Sequence, residues 1–470
     1  MTTVHGRPSV EATCSPQGEP ALEDVLHWVP RVMLMLIPIL ACFGPTIPLF
    51  GPLFAFRVAV IVLFLATVFQ RRNAPERSAL RTVALLLVFV WLLVALLLLL
   101  FRGASDFAWA EGVSVFTGAL FLLAIAAIRV PLQAQAALLV GWLIAYIGTS
   151  MVAVREIFFG IPFQNYYRLQ STNPILDGFG SASSLGNPNN YALFLVISYP
   201  ILCLGAVGAK SRMLRVGYVM ALCSLPVFML ATGSRIGFVT LVFVALLSAI
   251  VFLNTRRVVL ALGLGFISAL AFSEVVRSEF LSAIQPLALF FAGDSFWFRN
   301  VISNISDDNS AMIRVHLLQN GLDFSLETYL TGLGLGGFEA RMLSGDAAYP
   351  TQGIINPHNG VIEILSQFGV AVFILFLCLL LALWANGWKA VAQNANDRST
   401  RVAGLALVAL VGIFPILSTM NSSFLEPSIS WLFLAALLLI GLALKSPAIG
   451  LANDVPVDSS SNAHGGANHG

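Results

Sequence analysis

Long apolar runs alternate with short polar breaks along most of this chain. A helix needs about 20 consecutive apolar residues to cross the hydrocarbon core of a bilayer. Stretches of that kind recur at 31–50, 53–69, 82–101, 113–130, 136–154, 191–208, 216–232, 236–254, 258–273, 361–384, 402–419 and 428–444. The pattern predicts an all-α polytopic membrane protein with about twelve transmembrane helices, because only helices satisfy their own backbone in lipid without closing a barrel. Two of the polar breaks are long. Residues 155–190 and 274–357, with the short turn at 233–235, are expected to close over one face of the bundle.

The ends read differently. Residues 1–28 are polar and acidic, with Glu11, Glu19, Glu23 and Asp24, and lack the basic stretch and apolar core of a signal peptide. They are expected to remain as a tail ahead of a transmembrane domain covering 29–445. Residues 446–470 end in a Ser, Asn, Gly and His-rich run that is expected to be disordered, with His464 and His469 in a solvated tail rather than in a metal site.

Composition agrees with the pattern: 58% of the 470 residues are hydrophobic and 10% charged, with a mean hydropathy of +0.87. These values exclude a soluble globule. Charge adds orientation. Of the 25 Lys and Arg residues, sixteen fall on the loops that share a side with the termini and eight on the opposite loops, while Arg57 lies inside the second span. Half of those eight sit in 274–357, and long loops escape the rule that keeps positive charge in the cytoplasm. Both termini are therefore expected in the cytoplasm and both large loops outside. Cys42, Cys203, Cys223 and Cys378 fall in apolar spans and Cys14 in the tail, so neither a disulfide framework nor metal-ligand spacing is present. Nothing in the chain calls for a nucleic acid.

Candidate chemistry lies on the outward side. His358 stands where the long loop re-enters a span. Asn356 can cap that helix and Pro357 fits its first turn, so the helix dipole would disfavour the imidazolium and keep a neutral ring, as a general base needs. The alternative is a histidine capping a helix at the interface. Glu363 and Gln367 continue a polar stripe down the same helix. Arg235, at the start of span eight, opposes the helix dipole by roughly 0.3–1 kcal/mol unless an anion is present. With a phosphate there, the guanidinium, the free amides and the Ser234 hydroxyl would converge on it; otherwise Arg235 snorkels to the headgroups. Arg314 lies in a stretch that Ser310 can cap and Gly321 can stop, which suits a short helix at the membrane surface. That helix either lowers the arginine onto a substrate or anchors the loop. Gly332, Gly334, Gly336 and Gly337 read as a turn rather than a phosphate loop, since no strand precedes them and no Lys-Ser/Thr pair closes the motif. Asp307 and Asp308 read as a solvated turn and not as metal ligands.

Three local patterns resemble the O-antigen ligase and O-antigen polymerase superfamily of bacterial envelope glycosyltransferases. They are Gly186-Asn187-Pro188-Asn189-Asn190-Tyr191-Ala192, Thr232-Gly233-Ser234-Arg235-Ile236-Gly237, and His358-Asn359-Gly360 running through Glu363 and Gln367 to Phe368-Gly369. Between the last two, Arg314 and the run from Gly332 to Phe338 resemble the arginine and glycine-rich turn of that family's large periplasmic loop. The likeness covers roughly 180–435 and implies a cofactor-free, metal-independent transfer of a glycan from undecaprenyl diphosphate to a hydroxyl on the periplasmic side of the inner membrane. The acceptor would be a glycan or lipid A-core, and other polysaccharide-assembly proteins are further partners it implies. His358 matches the family's proposed base, and Arg235 and Arg314 match its diphosphate-binding arginines. Arg168, Asn189, Ser234, Glu363 and Glu426 are further candidates for substrate contact. Polymerase and ligase are both open, with a surface or exopolysaccharide polymerase favoured. A transporter or flippase of a lipid-linked glycan or small anion is the alternative from another class, although no inverted repeat supports it.

Overall fold

Each predicted span but one coincides with a helix in a computed structural model of the chain, which describes residues 22–44, 48–50, 53–70, 78–159, 161, 163, 181–252, 309–394 and 397–445. The ninth span, 258–273, lies outside the described residues. So do Arg168, all of 274–308 with Asp307 and Asp308, and the tails 1–21 and 446–470. The helices are α1 (Leu22–Phe43), α2 (Ala55–Phe69), α3 (Ala79–Arg102), α4 (Ala108–Ala127), α5 (Pro131–Phe159), α6 (Pro188–Gly208), α7 (Arg212–Thr232) and α8 (Arg235–Phe252). After the long loop come α9 (Asn309–Glu327), α10 (Gly337–Leu343), α11 (Gly360–Gln393), α12 (Arg398–Gly412), α13 (Phe414–Leu417) and α14 (Ser428–Ala443). Among the described residues six helices are long and apolar enough to cross a membrane: α3, α4, α5, α6, α7 and α11. The protein is a helical, multi-pass membrane protein.

The first span departs from its predicted limits. Helix α1 stops at Phe43, ahead of Gly44 and Pro45, and the residues expected to finish the span instead form an antiparallel hairpin of β1 (Pro48–Phe50) and β2 (Leu53–Phe54). The interior of the bundle is built on α6 and α14, apolar on all sides; α14 is buried from Ile429 to Ala443. Trp91 packs there against Trp431 and Phe368 with ring centroids 5.6 and 5.5 Å apart. Helices α3 and α7 bury one face and turn Leu86, Phe89, Met220 and Leu230 outward, as lipid-facing helices do.

Antiparallel threading brings alternate connections to one end of the bundle. At that end Arg102, finishing α3, donates to Thr331 Oγ1 at 2.9 Å, and Ser105 Oγ donates to the Leu335 carbonyl at 2.8 Å. There too the Ser181 amide donates to the Ala231 carbonyl at 2.8 Å. At the other end Arg81 ties the start of α3 to the Ile128 carbonyl at the end of α4, at 2.8 Å. Helices α9 and α10 form a lobe with a small core of their own: Ile313, Leu317, Phe324, Phe338 and Met342, closed against Ile362 of α11. Gly321 does not stop α9, as its position predicted. It lies inside the helix where a Cβ would sit 2.4 Å from Ile362 Cγ2, so it permits close packing on α11.

Helix α11 is broken at Gly369, whose φ of 75° and ψ of −178° belong to a region essentially restricted to glycine. The break frees helix carbonyls and an amide, and the glycine-rich turn satisfies them. The Leu333 amide donates to the Ser366 carbonyl and the Gly334 amide to the Gln367 carbonyl, each at 2.8 Å, while the Val370 amide donates to the Leu330 carbonyl at 2.9 Å. The fit is tight on both sides. A Cβ on Gly332 would stand 2.6 Å from the Gln367 carbonyl oxygen, and one on Gly369 would stand 2.5 Å from that of Leu330. Replacing Gly369 with Ala is therefore expected to destabilise the fold by about 1–3 kcal/mol. Thermal unfolding of the solubilised protein should show a lowered midpoint for Gly369→Ala and an unchanged one for Gly208→Ala, where a Cβ meets nothing within 4 Å.

Candidate functional site

The segment 418–427 organises the end of the bundle where the loops meet. Its ends are set by proline: Pro415 starts α13 and Pro427 caps α14. Its middle is polar and would leave amides unsatisfied in an apolar surround. Glu363, fully buried in the first turn of α11, answers them. Its carboxyl accepts from Ser423 Oγ at 2.5 Å, the Phe424 amide at 2.6 Å and the Leu425 amide at 3.4 Å. Glu363 is one of the candidates for substrate contact, and both of its oxygens are engaged by this turn.

The same segment holds His358, whose amide donates to the Ser422 carbonyl at 2.9 Å, while the Gly360 amide donates to Ser418 at 3.2 Å. The cap of α11 is Asn359 rather than Asn356: its Oδ1 accepts from the Val361 and Ile362 amides at 3.0 and 3.2 Å. His358 thus precedes the helix, and Pro357 lies outside it. The φ of His358 is 47°, a left-handed conformation uncommon outside glycine, and its amide is fixed there by Ser422. Its Nδ1 is buried without a hydrogen-bond partner. Burial, and then the charge of Arg314, lower its pKa to about 4, so the neutral ring arises from desolvation and a neighbouring cation.

Arg314, on α9, is therefore within electrostatic reach of His358. Arg235 begins α8 and is exposed. Ser234 caps that helix, its Oγ accepting from the Gly237 amide at 3.3 Å. A Cβ on Gly237 would lie 3.1 Å from Met420 Cε, which sets the start of α8 against segment 418–427. Asn189 is the second residue of α6, its amide bonded to Asn187 Oδ1 at 2.8 Å. Glu426 is exposed on the turn before α14. The structure thus brings Arg235, Arg314, His358 and Glu426 to one end of the bundle.

Sequence reasoning missed three groups there. Glu156, at the end of α5, accepts from Ser181 Oγ at 2.7 Å and the Ser183 amide at 2.8 Å, and so anchors the residues leading into α6. Glu111, in the first turn of α4, and Gln367 both accept from the Gly336 amide. Glu339, on α10, is buried with Oε2 lacking a partner, and burial and the Glu426 charge raise its pKa to about 7. A carboxylate embedded in an apolar run is the only mark such residues leave in the sequence. The outward histidine outside this group, His316, is engaged elsewhere: its Nδ1 lies 2.7 Å from the Pro350 carbonyl. Among the described residues no group of His, Cys, Asp and Glu is arranged to hold a metal ion.

Two comparisons bear on this arrangement. Residues 218–377, which carry Arg235, Arg314 and His358, match the family described as O-antigen ligase. The chain is also 26% identical over 260 residues to the teichuronic acid biosynthesis protein TuaE of Bacillus subtilis (strain 168), covering 53% of this chain and 49% of that protein. It spans about half the length of that curated relative. The match takes in most of α7, α8, the α9–α10 lobe, the residues leading into α11 and its start, and so includes three of the four side chains gathered at the loop end. The chain is thus similar over residues 218–377 to the O-antigen ligase family, and over a longer stretch to a protein of polysaccharide biosynthesis.

Proposed function

We propose that this protein is a glycan polymerase of the bacterial inner membrane, with both termini cytoplasmic, that transfers a growing glycan from undecaprenyl diphosphate to an acceptor hydroxyl on the periplasmic side. The observation that carries the reading is His358: held in a left-handed backbone by Ser422, its Nδ1 buried and unpartnered, and within reach of Arg314. A side chain kept neutral in this way is suited to take the proton of an attacking hydroxyl. Arg314 and Arg235 stabilise the charge that grows on the departing diphosphate. The diphosphate is itself a good leaving group, so the residues described need supply only a base and cations.

The low basicity of His358 fits the same scheme. A dianionic diphosphate beside Arg314 offsets the cation's effect on the imidazole, which raises the histidine's pKa once donor is bound. Base strength then develops where a donor is present to react. The relative named for teichuronic acid biosynthesis supports a role in polysaccharide assembly, and a polymerase rather than a ligase is our reading. A strain lacking the protein should accumulate single repeat units. Long chains on the lipid carrier would instead mark a ligase.

His358→Ala is expected to lower polymer formation by roughly 100-fold or more with unchanged membrane insertion, and Arg314→Ala and Arg235→Ala by about 100-fold. Polymer measured in membranes at wild-type levels in the His358 variant would remove the base from the scheme. The pH profile gives an independent check. Since the His358 pKa is lowered, to about 4, the ring stays unprotonated as pH falls through 6.5. The kcat/KM profile, which reports the free enzyme, should therefore show no acid limb near the ordinary histidine value and fall only as pH approaches 4.

A further inference from the structure

The loop end holds a second group of ionisable side chains that the transfer scheme does not use. Arg57, in the first turn of α2, donates to Ser114 Oγ at 2.9 Å and lies 4.8 Å from the centre of the Phe54 ring. Glu426 is within electrostatic reach of both Arg57 and Glu339. Beneath them the side chains of Glu111 and Gln367 share the Gly336 amide. That sharing leaves Glu111 Oε1 and Gln367 Nε2 unpartnered, as is Glu339 Oε2, although the three side chains are only 7%, 0% and 6% exposed. Buried donors and acceptors left open in this way call for a polar partner.

Charge decides what that partner is. Glu426 offsets the one arginine and Glu339, its carboxyl raised to about 7, adds part of a further negative charge, so a diphosphate is disfavoured on this side and drawn to Arg314 and Arg235. What the group offers is carboxyl acceptors, a guanidinium fork, an amide donor and an aromatic face, which together suit the hydroxyls and ring of a neutral pyranose. The position is suitable as well. Ser422, which holds the His358 amide, and Glu426 lie on the same short segment.

We propose that Arg57, Glu339 and Glu426 form the subsite for the acceptor sugar, the terminal residue whose hydroxyl His358 deprotonates. The assignment rests on the transfer reading above. Near neutrality Glu339, with its carboxyl raised to about 7, can either donate to a sugar hydroxyl or accept from one.

The test uses the full chain in lipid nanodiscs. Lipid-linked glycan extracted from a deletion strain serves as both donor and acceptor, and binding of undecaprenyl diphosphate is read separately. Glu426→Gln, Arg57→Gln and Glu339→Gln are each expected to lower chain extension by roughly 10- to 100-fold, the loss that follows from one charged hydrogen bond. Undecaprenyl diphosphate binding should stay at the wild-type level. Glu426 is exposed, so its variant reports on the subsite even where the buried Glu339 variant loses stability. Wild-type extension in Glu426→Gln and Arg57→Gln overturns the proposal. So does a parallel loss of undecaprenyl diphosphate binding, which would move the group to the donor side. Failure of the underlying reading looks different: His358→Ala would extend chains normally, whatever these variants do.

Discussion

A backbone group in an apolar layer has no water to turn to, and that constraint governs how this molecule is assembled. The break at Gly369 violates the helical solution locally, and the structure answers it with the amides of Leu333 and Gly334 and the carbonyl of Leu330. The turn that supplies them cannot drift, because Gly332 and Gly369 leave no room for side chains at their contact. The α9–α10 lobe is thereby fixed to the upper part of α11. Arg314 on α9 and Glu339 on α10 reach the site because of this repair, so a defect in a transmembrane helix sets the geometry of the loop chemistry.

A second constraint of the same kind places the histidine. Segment 418–427 has amides to satisfy, and Glu363 satisfies them from inside the bundle. An ordered segment can hold the His358 amide and stabilise a backbone conformation uncommon outside glycine. The buried Glu363 orders Ser423 to Leu425, and the neighbouring Ser422 in turn holds the amide of His358. Precision at the solvent-facing end therefore derives from the packed end.

What was legible in the sequence follows from the range of the interactions involved. The spans were readable because apolar length is a local property, and Arg314 and His358 stood out because charge in a lipophilic chain is rare. The end of α1 was missed: an apolar run continuing to 50 hid a hairpin that Gly44 and Pro45 already punctuated. The stop at Gly321 was misread because glycine marks both helix ends and close helix packing, and only the partner Ile362 tells them apart. Glu363 reads as a candidate for substrate contact because its partners, Ser423 to Leu425, are far away in the chain. The glycine-rich run reads as a turn, but its partner, a broken helix, has no local signal at all.

The two arginines that precede the histidine in sequence and the carboxyl groups that the fold adds sort the site by charge. Arg314 acts on His358, whereas Glu339 feels Glu426 and Glu426 acts on Arg57. A transfer from a diphosphate to a hydroxyl has the same polarity: negative charge accumulates on the leaving side, while the incoming side presents neutral hydroxyl groups. In the proposed scheme the cationic side takes the donor and the carboxyl-rich side the acceptor, so that neither competes for the other's place. The histidine, tied by its backbone to the segment that carries Glu426 and sensing the charge of Arg314, belongs to both sides. Under the proposed scheme its lowered basicity follows from where a base would have to stand, buried and beside the cation proposed to receive the donor.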